Sequence, residues 1–357
     1  MSAQMGFFDR SDRLQQLSDK GDPLERIDAV IDFELFRAEL ERVVPRSDRS
    51  RGGRPPFDHV LMFKLLVIQS LYNLSDEQIE YQVKDRLSFM RFLGLELGDR
   101  VPDANTVWTF REQLTKAGAI EALFKLFDAA LKSAGYLAMS GQIVDASVVQ
   151  APRQRFTDDE KAKLEAGEVP EDWSYAKRSQ KDLDGRWTLK RGRKRRRRPG
   201  QRQAAEIAVP EYGYKSHVNI DRRHGFVRQW AVSDAAEHDS RKFRELLDKD
   251  NTASRVWADT AYRSDKHERH LARHGFASKV HFRKPKGRAM NRVRAKANAA
   301  RSRVRSSVEH VFAAQKHRMG LFVRTIGLTR ATTKIGLANL VYNFTRFAWW
   351  EKQVATA

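Results

Sequence analysis

Gln142-Ile143-Val144-Asp145-Ala146-Ser147-Val148-Val149 decides the fold class of this chain. The run is short, apolar and β-branched, the pattern of a strand with both faces covered. Its discordant residue is Asp145, because an ionised carboxylate inside a central strand is costly unless something compensates it. Toward the C-terminus, residues 214–221 and 225–232 read as two more strands joined by a hairpin turn at Arg222-Arg223-His224-Gly225. Residues 238–249 read as an amphipathic helix with Phe243, Leu246 and Leu247 on its apolar side, residues 254–259 as a fourth strand and residues 276–282 as a fifth. A long helix around 302–317 and another around 331–350 complete a mixed α/β pattern.

Toward the N-terminus the periodicity changes to helical. Residues 27–44 carry short helical patterns, and an Arg-, Gly-, Ser- and Pro-rich break follows at 46–56. Residues 59–73 are strongly apolar, Ser75-Asp76-Glu77-Gln78 is a capped helix start, and further helices are expected at about 103–115 and 119–134. Residues 58–134 therefore form an all-helical region of four or five short helices, either a helix-turn-helix DNA-binding unit or a plain helical bundle. There is no internal repeat. The expected organisation is a helical segment at 1–50, a helical DNA-end-binding or assembly domain at 51–136 and an α/β domain at 137–350, with a polar insert at about 151–210. Within that insert, residues 186–198 hold nine Lys or Arg in thirteen positions. Such a block cannot pack on itself and is expected as a solvated loop that can order on a phosphate backbone.

Charge narrows the partners. The 357 residues include 67 Lys and Arg against 46 Asp and Glu, a net charge of +21 with a pI near 10.2. Such a surface repels itself unless a polyanion neutralises it, and DNA, RNA and anionic membrane are the usual candidates. At 41% hydrophobic residues the chain can bury a core, which separates it from shorter ribosomal or histone-like basic proteins. No apolar run is long enough to cross a membrane. The N-terminus lacks the apolar stretch of a signal peptide. The absence of cysteine removes disulfides, thiolate–zinc sites and thiol chemistry. A cytoplasmic protein associated with the nucleoid fits these features.

Three carboxylates stand where phosphodiester chemistry would need them. Two divalent ions roughly 3.5–4 Å apart can activate the attacking oxygen and stabilise the leaving one, and Mg²⁺ takes oxygen ligands from a few Asp or Glu side chains. Asp145 lies inside the first strand, Asp259 ends the fourth after Val-Trp-Ala, and Glu309 sits on the helix that follows. Strand carboxyl ends are where α/β sheets open to ligands, although a lone Asp there is commonly a cap or turn former. On an ideal helix of roughly 100° per residue, Arg305, Glu309 and Lys316 fall within an arc of about 40°, with Val304, Val308 and Val311 beside it as anchors to the sheet. Arg305 and Glu309 could equally be an ordinary i, i+4 ion pair.

The order Asp145, Asp259, Glu309 resembles the catalytic triad of ribonuclease H-like DDE transposases. Arg305-x₃-Glu309-x₆-Lys316 is similar to most of the Tyr-x₂-Arg-x₃-Glu-x₆-Lys signature of the insertion-sequence-four and -five group, with Ser302 at the tyrosine position. Val-Asp-Ala-Ser, Tyr-Gly-Tyr-Lys-Ser-His-Val, Ala-Asp-Thr-Ala-Tyr and Arg-Gly-Gly-Arg-Pro-Pro look like the insertion-sequence-five type, and the likeness covers about residues 50–347. It implies a ribonuclease H-like domain with a mixed five-stranded sheet and flanking helices, preceded by an all-α region. It also implies Mg²⁺, or Mn²⁺ in its place, held by Asp145, Asp259 and Glu309, and double-stranded DNA as partner. Relatives of this type cut the ends of a bacterial insertion sequence at its inverted repeats and join the freed 3′-hydroxyl to target DNA, within a homodimer or larger assembly. Arg305 and Lys316 are then expected on DNA phosphates, together with Lys284, Lys286 and Arg288 of the basic stretch 279–294 and Arg193, Lys194 and Arg195 of the insert. A sequence-specific regulator without catalysis and a ribonuclease H-like nuclease are the competing readings; retention of all three carboxylates opposes the first, the Arg305 and Lys316 pattern the second. His217, His238 and His310 are secondary candidates, with His238 a helix cap first. Tyr262 reads as core packing behind the site, and Trp349 and Trp350 as core or a subunit contact.

Overall fold

The computed structural model describes residues 9–45, 52, 55–191 and 208–356. Helices occupy the first third: α1 (Asp9–Asp19), α2 (Pro23–Asp28), α3 (Arg37–Val43), α4 (His59–Tyr72), α5 (Asp76–Asp85), α6 (Leu87–Leu93), α7 (Ala104–Lys116) and α8 (Ala119–Ser133). Local chemistry sets several of their ends. Asp58 accepts the amides of Val60 and Leu61 at the start of α4, and Asn73 closes that helix in the left-handed conformation, φ 52°. Ser75 and Gln78 form the reciprocal capping box of α5, and Asp103 accepts the Thr106 amide at 2.7 Å to start α7. The helical pattern of residues 27–44 is broken, with a 3₁₀ turn at Phe33–Phe36 ahead of α3. The lead-in at 46–56 falls largely outside the described residues.

Beyond Gly141 come β1 (Gln142–Gln150), α9 (Asp158–Glu165), α10 (Tyr175–Gln180), β2 (Arg186–Arg191), β3 (Ala208–Asp221), β4 (Val227–Asp234), β5 (Arg255–Trp257), α11 (Asp265–Arg273), β6 (Ala277–Ser278), α12 (Arg292–Arg305), α13 (Glu309–Ala313) and α14 (Leu328–Ala355). The sheet is mixed. β3 pairs antiparallel with β1 on one side and β4 on the other, while β5 and β6 add in parallel beyond β1. All five expected strands are present. A sixth, β2, pairs with the first half of β3, where it projects past β1. It lies in the insert expected to be a solvated loop, and the described part of that insert is folded. Phe156 stacks on Trp173 with ring centroids 6.1 Å apart, and the buried Asp182 accepts the Tyr214 hydroxyl at 2.8 Å. The run containing Arg193, Lys194 and Arg195 lies outside the described residues.

Alternation along β1 divides the core. Ile143 faces Val218, Ile220 and Trp257 in the larger cluster, which also takes in α4, α8 and α14; Val144 faces the opposite way, onto Phe243, Val256, Tyr262 and Leu271. Two helical expectations need correction. Residues 238–249 are not a regular helix: a 3₁₀ turn at Asp239–Lys242 gives way to turns. The carbonyls of Leu246 and Asp248, which a helix would pass along its own ladder, instead accept the buried side-chain amides of Asn219 and Gln142. The helix expected at 302–317 begins ten residues earlier, at Arg292; no residue of α12 is fully buried and its first turns carry no apolar periodicity, which hid that start. It is then interrupted by a 3₁₀ turn at Ser306–Val308, where the Ser306 hydroxyl donates to the Arg303 carbonyl at 2.8 Å, and by a π turn at Ala314–Arg318.

Candidate active site

Strand register brings the two aspartates together. Ile143 is the parallel partner of Trp257, the last residue of β5, and Asp145 and Asp259 follow two residues later on each chain, near enough for the charge of Asp259 to act on the Asp145 carboxyl. The sheet there is roofed by Val308 and Val311, fully buried where α12 passes into α13. Arg305 and Glu309 lie at the two ends of the 3₁₀ turn between these helices. The interruptions at 306–308 and 314–318 mean that the ideal helical wheel does not relate Arg305, Glu309 and Lys316. Arg305 pairs with Asp145 rather than with Glu309: its Nη1 donates to Asp145 Oδ2, and both side chains are largely buried. Glu309 is exposed, and Lys316 is half-buried within the π turn.

Asp145 carries the electrostatic signature of the site. Burial raises its carboxyl strongly; Arg305 and the Ala146 amide, which donates to Oδ1 at 3.0 Å, pull in the opposite direction, while Asp259 and Glu309 add further upward pushes. The result is a carboxyl pushed up to about 7. Asp259 has the bland role foreseen for it as well as its place at the site, because its Oδ1 caps the 3₁₀ turn Thr260–Tyr262 by accepting the Ala261 amide at 2.7 Å. Tyr262 is fully buried against Phe243, with ring centroids 5.3 Å apart. Its hydroxyl has no hydrogen-bond partner among the described residues. Burial raises its pKa, and so do the charges of Asp145, Asp239 and Asp259.

The histidines separate. His217 is buried on the opposite sheet face from Asp145, contacts the Ser233 hydroxyl at 2.8 Å and is pushed down to about 4 by burial. His238 caps its 3₁₀ turn, accepting the Ser240 amide at 3.3 Å, and His310 is exposed. His281, which sequence reasoning passed over, stands at the site. Its amide bonds the Ala258 carbonyl at 3.1 Å, its ring meets Ser302 Oγ at 3.4 Å, and burial and then Arg305 lower its pKa. Its position at the end of the fifth strand was the available signal. Lys284, Lys286 and Arg288 are exposed on the loop between β6 and α12. Trp350 donates to the His224 carbonyl at 2.9 Å, whereas Trp349 is 44% exposed on the last turns of α14.

Among the described residues no three His, Asp or Glu side chains are grouped closely enough to hold one ion together. The donor chemistry nevertheless fits a hard divalent cation. The available groups are carboxylates, the central one is buried and held up by desolvation and like charges, and an orphaned phenol lies behind it. A bound divalent ion would reverse that electrostatic balance.

Two known families match the chain. A family described as transposase domain (DUF772) matches residues 12–113, and one described as transposase DDE domain matches residues 137–344, more than half of the chain. A solved structure of a piggyBac transposase synaptic complex with hairpin DNA is similar at 10% identity and a TM-score of 0.42, over 96% of this chain and 77% of that one. A likeness at that score carries no argument.

Proposed function

The chain belongs to the transposase DDE-domain family and is a DNA transposase, and from that premise we propose that it is an insertion-sequence-five-type enzyme of a bacterial element. Its catalytic residues would be Asp145, Asp259 and Glu309 on a ribonuclease H-like sheet. The observation that carries the reading is the convergence of Asp259, Glu309 and Arg305 on the buried Asp145 carboxyl, just past the point where Ile143 pairs with Trp257. The strand order β4-β3-β1-β5-β6, with β3 antiparallel to β1 and the last two parallel, supports the fold reading.

Asp145, Asp259 and Glu309 would hold Mg²⁺ or Mn²⁺. When bound, such ions supply activation of the attacking oxygen and stabilisation of the leaving oxygen at a phosphodiester. The protein's own contribution is positional. β1 and β5 fix two carboxylates on a rigid sheet, and the α12–α13 turn brings the third over them with a guanidinium. Arg305 pairs with Asp145 in the structure described, and its guanidinium stands where it would grip the phosphate being cut. Lys316 and the loop carrying Lys284, Lys286 and Arg288 would extend the cationic path along the duplex, with Arg193, Lys194 and Arg195 reaching it from the insert. A pair of element ends calls for two copies of the chain, so a DNA-bound homodimer or larger assembly is part of the reading.

The test uses DNA carrying the gene's own flanks and Mg²⁺, comparing the natural protein with Asp145→Asn, Asp259→Asn and Glu309→Gln. Cleavage at the flanks followed by joined product is expected only from the natural protein. Each variant should lose more than about 100-fold, beyond the 10–100-fold typical of residues that merely support a metal ligand. Equal cleavage by a variant removes that residue from the site, and binding without cleavage by the natural protein favours a regulator.

A further inference from the structure

A cavity of about 170 Å³, lined in part by charged side chains, opens at the seam between the N-terminal helices and the start of α14, and none of its lining residues belongs to the carboxylate site. α5 supplies Asp76 and Glu77, α7 supplies Arg111 and Glu112, the segment before α14 supplies Arg324 and Thr325, and α14 supplies Arg330 and Lys334. Two of its four cations are already matched. Arg111 forks onto Asp76 at 2.6 and 2.7 Å, and Arg330 onto Glu112 at 2.8–3.0 Å. Glu77 is turned to solvent.

What remains is a surplus of donors. Lys334, half-buried in the wall beside Leu337, has no hydrogen bond or ion pair among the described residues, although the charge of Asp76 acts on it. Burial, with Arg111 and Arg324 close by, lowers its pKa to about 8. The Thr325 hydroxyl is buried without a partner among the described residues. Arg324 spends one nitrogen on Asn73 Oδ1 at 2.9 Å and keeps its other donors. Arg324 is exposed and Lys334 half-buried, so of the three it is the Thr325 hydroxyl that bears the cost of a buried polar group left unsatisfied, and an acceptor in the cavity would meet it beside two cations. A tetrahedral oxyanion would accept from all three and bring the net positive lining close to neutral.

We propose that this cavity receives a backbone phosphate of bound DNA, held by Lys334, Thr325 and Arg324, at a place separate from the cutting site. The proposal rests on the transposase reading for the identity of the phosphate. All three donors lie on α14 and the segment before it, while α5 and α7 close the other side of the cavity with the Asp76–Arg111 pair and Glu112, so the phosphate would be held from the α14 side of the seam.

Two measurements on the full chain separate the possibilities. The first is the salt dependence of duplex DNA binding for the natural protein, Lys334→Met, Lys334→Arg and Thr325→Val. The second is protection of the same proteins against thermal unfolding by inorganic phosphate without DNA. Lys334→Met should weaken DNA binding about tenfold and lower the slope of log affinity against log salt by about 1. Lys334→Arg should keep the slope, and Thr325→Val should weaken affinity without changing it. Phosphate should protect the natural protein and fail to protect Lys334→Met. An unchanged affinity and slope in Lys334→Met overturns the proposal. Lost phosphate protection with unchanged DNA binding also overturns it, and assigns the cavity to a free phosphate instead. Should the natural protein bind no DNA, the transposase reading fails on its own, and phosphate protection that depends on Lys334 still decides whether the cavity is an anion site. If Lys334→Met does not fold, Thr325→Val carries the test through affinity and phosphate protection, and unchanged values of both overturn the proposal.

Discussion

Replacing Arg305 with methionine removes the guanidinium paired with Asp145 and should produce a stability loss that grows with pH. The native Asp145 carboxyl titrates near 7 against an ordinary 3.8. Between those values the folded chain holds a proton that the unfolded chain has released. Its stability therefore falls as pH rises through that window, by about 1.4 kcal/mol per unit, and the contribution is flat above 7. Without Arg305 the carboxyl moves higher still, and the variant goes on losing stability where the natural protein has levelled off. Below pH 7 both proteins carry the proton, and the difference reduces to a lost charge-assisted hydrogen bond, about 1.5–3 kcal/mol. At about pH 8.5 it should be larger by about 2 kcal/mol. Urea unfolding in a chelating buffer, at about pH 6, 7 and 8.5, reads this directly through the pH dependence of the difference. In the Asp145→Asn background the added pH dependence should vanish, because the titrating group is gone. A difference between Arg305→Met and the natural protein that stays constant over the range would refute the coupling and with it the electrostatic account of the site.

Two further outcomes test the packing around it. Gly336→Ala sits inside α14, where alanine is normally favoured by about 1 kcal/mol, yet its Cβ would come within 2.5 Å of the Trp230 ring; a net loss of about 1–3 kcal/mol is expected by thermal or urea unfolding, and any gain contradicts the α14–β4 packing. Tyr262→Phe removes a buried hydroxyl that has no partner among the described residues, so metal-free stability should rise by about 1 kcal/mol. A fall would mean that water or another group satisfies that hydroxyl.

Sequence alone carried the elements whose signals are local. β1 was legible because a β-branched run is unmistakable against its polar flanks. Asp145 stood out because it breaks that run, and α5 and α7 were legible because a capping side chain and the amide it satisfies lie three residues apart. No membrane-spanning helix occurs among the described residues, as the hydropathy pattern indicated. The triad order and the arginine before Glu309 pointed to the family that the match over residues 137–344 then showed.

Tertiary structure decided what depends on contacts between distant residues. Nothing local to residues 238–249 announces that Asn219 and Gln142 will take its carbonyls, so an amphipathic pattern there reads as a helix that does not form. The first turns of α12 escaped periodicity because a stretch with no fully buried residue needs no apolar stripe. The partner of Arg305 is 160 residues away rather than four, since burial makes Asp145 the costlier charge to leave uncompensated while Glu309 stays in water. His281 and Lys334 became noticeable for the same reason. Local rules report propensity and capping, whereas the state of a charge is set by the dielectric and the neighbours that folding brings to it.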